Sequence, residues 1–163
     1  MAQDHLLPSL FALYLATVLV VSTVADIRHL IIPDLANAAS LTGAVIFAAL
    51  SPQHALVPQL IGGAVGGGAF FLLAVVFYRI RHHHGLGLGD AKFMVGAGTW
   101  VGWQSVPLLV LAASLSALIY VAIRKATDVR FDPQGRIPFA PFLSGATLVV
   151  WSLQEFEVIQ WMT

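Results

Sequence analysis

Apolar residues occupy this chain in long runs, separated by short polar stretches. A membrane-crossing helix needs about 20 mostly apolar residues to match a hydrocarbon core of roughly 30 Å. On that measure the pattern predicts six spans: about Leu6 to Ala25, Leu35 to Leu50, Leu56 to Tyr78, Ala91 to Trp103, Val106 to Ile123 and Phe139 to Leu153. The expected fold is all-α, a polytopic membrane helix bundle forming one integral membrane domain over residues 1–163. The fourth span is expected to be short. Only 33 residues lie between Asp90 and Arg124, where two full crossings want about 40. A short helix, or one that starts in a polar cavity, resolves the shortage; a re-entrant loop is the alternative. The first span differs from a signal peptide, because no Lys or Arg precedes Arg28 and no A-x-A cleavage site follows.

Composition supports a lipid-facing surface. Hydrophobic residues make up 58% of the chain and charged residues 10%, against about 25% charged in a soluble domain. Mean hydropathy is +0.85. The zero net charge argues against a nucleic-acid partner, which a surplus of positive charge would bind by releasing counterions. With no cysteine, disulfides, thiolate zinc sites and a cysteine nucleophile are excluded. The adjacent His82, His83 and His84 do not converge on one ion without a scaffold. They read instead as a patch near anionic lipid. No metal and no cofactor are expected.

The basic residues set an orientation. Arg28 follows span one, Arg79, Arg81 and Lys92 flank the junction of spans three and four, and Arg124, Lys125, Arg130 and Arg136 lie between spans five and six. Cytoplasmic loops collect Lys and Arg, so these three loops are expected to be cytoplasmic and both termini outside. Trp100 and Trp103 then fall at the outer interface, where an aromatic belt is expected. In span three, Gly62/Gly66 and Gly63/Gly67 share one helix face by their four-residue spacing. Such a face allows close backbone approach, here expected within the bundle rather than in a dimer.

Ionisable groups at membrane depth are costly and therefore candidates for function. Asp4, Glu155 and Glu157 lie near outer ends, and Asp128 and Asp132 lie in the polar 124–136 loop. That loop reads as a solvated connection, or as a contact for a basic substrate segment. Asp34 suits the start of span two, where the helix dipole favours an acid. Asp26 and Asp90 remain, both at the cytoplasmic boundary. Two facing carboxylates share one proton. One then acts as base toward water while the other polarises a carbonyl. Gly87 and Gly89, without Cβ atoms, permit an extended peptide to approach and allow unusual chain conformations. A flexible turn capped by Asp90 is the alternative. The glycine run does not meet the dinucleotide pattern. Arg28 and Lys92 each lie two residues beyond an aspartate, a spacing that points them away from it on a helix. Snorkelling to headgroups and a positioning role are both open for them.

Three segments resemble type IV prepilin peptidases. Asp26-Ile27-Arg28-His29-Leu30-Ile31-Ile32-Pro33 is similar to their first aspartate motif, and Gly87-Leu88-Gly89-Asp90-Ala91-Lys92 matches their G-x-G-D-x-K motif. Ile137-Pro138-Phe139-Ala140-Pro141-Phe142 resembles the stretch that opens their final helix. The resemblance implies an intramembrane aspartic endopeptidase of the bacterial inner membrane that removes the short basic leader of prepilins or pseudopilins. It implies catalytic Asp26 and Asp90, with Gly87, Gly89, Lys92, Arg28, Pro33 and Pro138 as motif or substrate-positioning residues. Asp34 stands where the family often has Asn. With no cysteine and a first span that starts almost at once, the chain resembles the short, peptidase-only branch serving Flp/Tad-type pili, and no methyltransferase activity is expected. Its partners would be the substrate and the lipid bilayer; the oligomeric state is open. Alternatives are an aspartic protease for another substrate such as preflagellin, a proton- or ion-coupled transport subunit using the two aspartates as a relay, and a structural subunit of a secretion assembly.

Overall fold

The structure is a computed structural model that describes residues 6–51, 55–81, 87–128 and 137–155. Six helices follow in order: α1 (Leu6–His29), α2 (Asp34–Leu50), α3 (Leu56–Arg81), α4 (Leu88–Val101), α5 (Val106–Thr127) and α6 (Ala140–Glu155). No strand occurs among the described residues. Each apolar run has become one helix, and most boundaries shift by a turn or less. α1 and α5 run one turn past the expected ends, so Asp26 sits inside α1 rather than at its close. The helices α1, α3 and α5 are long and apolar enough to cross a membrane, and α2 is a shorter apolar helix.

Contacts fix the directions of the helices. Phe11 of α1 packs against Phe47 of α2, while Tyr14 Oη donates to the Ala39 carbonyl at 2.8 Å, so α1 and α2 are antiparallel. On α4, Lys92 meets Asp34 and Trp100 Nε1 donates to the Ser40 carbonyl at 3.0 Å, so α2 and α4 run the same way. Ser144 of α6 meets the Leu19 carbonyl, and Tyr120 of α5 packs on Phe142 of α6. The helices therefore alternate in direction. The C-terminal ends of α1, α3 and α5 lie at the same end of the bundle as the N-terminal ends of α2, α4 and α6.

The short α4 is the central element. Its 14 residues span about 21 Å at 1.5 Å per residue, less than a bilayer core. It need not match the bilayer, because its neighbours cover it: Phe93, Met94, Ala97, Trp100 and Val101 are all buried. The glycine face of α3 packs directly on it. A Cβ on Gly62 would overlap the Gly98 carbonyl oxygen, and one on Gly66 would come within 3.1 Å of the Met94 carbonyl oxygen. Thus the small-residue face serves contact inside the bundle, as its spacing suggests. Gly102 then turns the chain into α5 at φ 73°, a left-handed backbone that favours glycine.

Trp100 departs from the expected aromatic belt. It is 1% exposed; in the core it stacks on Phe47 and meets Trp151 edge to face. Its N–H is satisfied by Ser40, so the indole has no need of an interface. Trp103, just beyond α4, is exposed. α5 carries the opposite extreme, with Leu111, Leu115, Leu118 and Ile119 all exposed, which suits a helix facing lipid.

Candidate functional site

Asp26 and Asp90 both lie at the end of the bundle where α4 and α6 begin, close enough for their charges to act on one another. Asp26 is 6% exposed, too buried for bulk water to solvate it. Its partner is supplied by a different part of the chain. The Ala140 backbone N–H donates to Asp26 Oδ2 at 2.9 Å. Ala140 is the first residue of α6, and the first-turn N–H groups of a helix have no partner within it. The positive end of the helix dipole adds to the hydrogen bond. Pro138 and Pro141 lack N–H groups, so the prolines around Ala140 leave its amide as a donor at the helix start. The Phe139 carbonyl closes the first turn by accepting from Phe142 and Leu143. Phe139 also stacks on Phe70 of α3, and Phe142 packs on Tyr120 of α5. These rings anchor the start of α6 and thereby the amide that holds Asp26.

Asp90 is the third residue of α4, after the N-cap Gly87. Its carboxylate faces the Gly87 backbone, which favours its charged form, and its own N–H donates to the Gly87 carbonyl at 3.1 Å. This is the side-chain half of a capping box, with an acid reaching back to the N-cap. Asp90 is only partly buried. One carboxylate is thus held by a remote helix start and the other by its own.

The glycines before Asp90 have ordinary backbones. Gly87 has φ −72° and ψ 135°, Gly89 is helical, and neither has positive φ. Unusual chain conformation is therefore not what glycine provides here. A Cβ on Gly87 would lie 3.3 Å from Asp90 Oδ2, against the carboxylate itself. One on Gly89 would lie 3.8 Å from the nearest Ile32 atoms, an ordinary contact.

Lys92 does not point idly at headgroups. Its Nζ lies 2.7 Å from Asp34 Oδ1, which joins the start of α2 to α4. Asp34 occupies the first turn of α2 as expected, with Pro33 as the N-cap, but its bond to Lys92 was not legible from spacing. Arg28 is exposed in the last turn of α1, where a cation suits the dipole. Pro138 lies two residues before α6. The expectations for His82, His83 and His84, and for loop residues 129–136, fall outside the described residues; Asp128 pairs with Arg124 at 3.2 Å. No group of three or more metal-binding side chains occurs among the described residues.

Three further residues emerge only from the structure. Ile32, in the four-residue connection between α1 and α2, is buried against Gly89. Leu30 has φ 54°, a left-handed conformation that costs an L-residue about 1–2 kcal/mol. Its N–H donates to the Asp26 carbonyl at 2.8 Å, closing α1. Asn37 is 8% exposed, and neither end of its amide has a hydrogen-bond partner.

The model of the type IV leader peptidase family matches residues 13–122, a stretch that includes both aspartates. Leader peptidase HopD of Escherichia coli is 30% identical over 148 residues, covering 91% of this chain and 94% of HopD. HopD of Salmonella typhimurium is 27% identical over 140 residues, covering 85% and 90%. The prepilin leader peptidase/N-methyltransferase of Pectobacterium carotovorum subsp. carotovorum is 32% identical over 133 residues, covering 82% of this chain and 47% of that enzyme. The chain thus spans nearly all of the HopD proteins and about half of the latter relative. No solved structure matches.

Proposed function

We propose a reaction for this chain from one premise: it belongs to the type IV leader peptidase family, and is a peptidase of an aspartic-type family. The reaction is removal of the leader from type IV prepilins, of the Flp type, or from pseudopilins, at the cytoplasmic face of the bacterial inner membrane. The observation that carries this reading is the placement of Asp26 and Asp90 at one end of the bundle, within range of each other's charge. The basic residues Arg28, Lys92 and Arg124 occupy that same end, which supports a cytoplasmic site by the positive-inside rule.

The chemistry needs one proton between the two carboxyls. The ionised one removes a proton from water, and the resulting hydroxide forms a C–O bond to the scissile carbonyl carbon. The protonated one donates its proton to the carbonyl oxygen. Collapse of the tetrahedral intermediate breaks the C–N bond as the proton taken from water passes to the leaving nitrogen and a hydroxyl proton returns to the carboxylate that donated, which restores the carbonyl and the shared proton. The Ala140 amide keeps Asp26 oriented throughout, and Gly87 does the same for Asp90. The bare Cα of Gly87 leaves room for a substrate backbone beside Asp90. No cofactor enters. We propose peptidase activity without methyl transfer.

The test is co-expression with an Flp-type prepilin in a host without its own leader peptidases, read by pilin mobility and N-terminal sequencing. Cleavage of the prepilin at its leader is the expected result. A well-inserted chain that leaves prepilin and pseudopilin intact but cuts preflagellin would redirect the reading to that substrate.

A further inference from the structure

We propose that Ile32 and the Asp34–Lys92 ion pair are positioning elements that dock the chain segment carrying Asp26 onto the segment carrying Asp90. The proposal rests on the reading of these aspartates as the reacting pair. Asp26 and Asp34 bracket a hook: the last turn of α1, the tight Leu30 closure and the Pro33 N-cap. Gly87 to Lys92 is the start of α4. The two segments approach one another at three successive levels. Asp26 acts on Asp90, the Ile32 side chain covers Gly89, and Asp34 binds Lys92 at 2.7 Å.

Each end of the hook is itself constrained. Leu30 holds its left-handed turn while its N–H closes on the Asp26 carbonyl. Pro33 fixes φ, and its carbonyl accepts from Ala36 and Asn37 at the start of α2. A short connection with both ends set has little freedom left, so its two contacts on α4 determine how α1 sits relative to α4. Ile32 is 5% exposed, although connections usually run over the surface. The side chains of Lys92 and Asp34 are 58% and 77% exposed, so water screens the pair and its individual effect is modest. Lys92 and Asp34 do not touch the reacting atoms in this arrangement. They act through the helices that bear them.

The absence of cysteine from the chain provides a readout independent of any substrate. In an Asp26→Cys/Asp90→Cys variant, the rate of bridging by a short bifunctional methanethiosulfonate reagent in membranes reports how often positions 26 and 90 face one another. Adding Asp34→Leu or Lys92→Leu is expected to slow bridging about fivefold, the upper range for an exposed pair. Ile32→Ala is expected to slow it about tenfold, and Ile32→Val, which is gentler on folding, about twofold. The charge swap Asp34→Lys with Lys92→Asp is expected to restore most of the rate. In the chain with both aspartates, the same substitutions lower kcat with little change in KM, and Asp34→Asn, which keeps an oxygen for Lys92, retains most of the activity. Unchanged bridging in Asp34→Leu, Lys92→Leu and Ile32→Val would overturn the proposal, as would a charge swap that restores nothing. Bridging that responds as expected, while the chain with both aspartates cleaves no prepilin, would leave the docking intact and refute the assigned reaction.

Discussion

Replacing Ala140 with proline isolates the contact on which the buried aspartate depends. Ala140 is the first residue of α6, where proline is well tolerated because the amide has no partner within the helix. The Phe139 carbonyl would still accept from Phe142 and Leu143. What Ala140→Pro removes is the N–H that donates to Asp26 Oδ2 at 2.9 Å. Hydrogen bonds to charged groups contribute about 1.5–3 kcal/mol. If the amide orients Asp26 in the transition state, that range corresponds to about a 10- to 150-fold loss of kcat. Ala140→Gly keeps the amide while removing the buried methyl, and controls for packing. The assay is leader cleavage over time in purified membranes, with thermal unfolding in detergent measured alongside. A properly inserted Ala140→Pro chain with wild-type kcat would refute the assignment of this amide to Asp26. An equal loss in Ala140→Gly would place the effect in packing instead.

Other substitutions test the bundle around the site. Gly63→Ala would set a Cβ 2.7 Å from the Val95 carbonyl oxygen and should cost about 1–3 kcal/mol by overpacking, whereas Gly68→Ala meets open space and should gain about 0.5–1 kcal/mol from helix propensity; detergent melting curves of the two should move in opposite directions. Asn37→Leu removes an unpaired buried amide and is expected to stabilise the fold by about 1–3 kcal/mol. A lower melting temperature would mean the amide has a partner such as ordered water. Leu30→Gly relieves a left-handed turn worth about 1–2 kcal/mol, offset by roughly 0.5–1 kcal/mol of glycine entropy, so the melting temperature should rise slightly; a fall would show that the Leu30 side chain contributes more than its backbone costs.

Six helices and their approximate limits were legible because lipid imposes a length on each apolar run. The same constraint marked Asp26 and Asp90, since few reasons exist to keep an acid at membrane depth. Central burial of α4 was less visible. Its shortness could be counted, but its placement follows from glycine faces on both α3 and α4, and Gly98 gives no periodic signal by itself. Trp100 was misplaced because an aromatic near a helix end suits either a belt or a core, and only the Ser40 carbonyl decides between them. The Ala140 amide was missed because it is backbone, and the side-chain pattern around it records only Pro138 and Pro141. Asp34 was given a helix-end role, which it has, but pairing with Lys92 depends on α2 and α4 running side by side. Ile32 looked like one more apolar residue until its contact with Gly89 was known.

The central claim is that Asp26 and Asp90 act together as one catalytic unit. The most direct measurement is leader cleavage of an Flp-type prepilin by the wild-type chain and by Asp26→Asn and Asp90→Asn, each confirmed to insert and fold. The account predicts cleavage by the wild type and loss of at least about a thousandfold in each variant, because removing either member of a base and acid pair disables both. Cleavage that survives either substitution would contradict it.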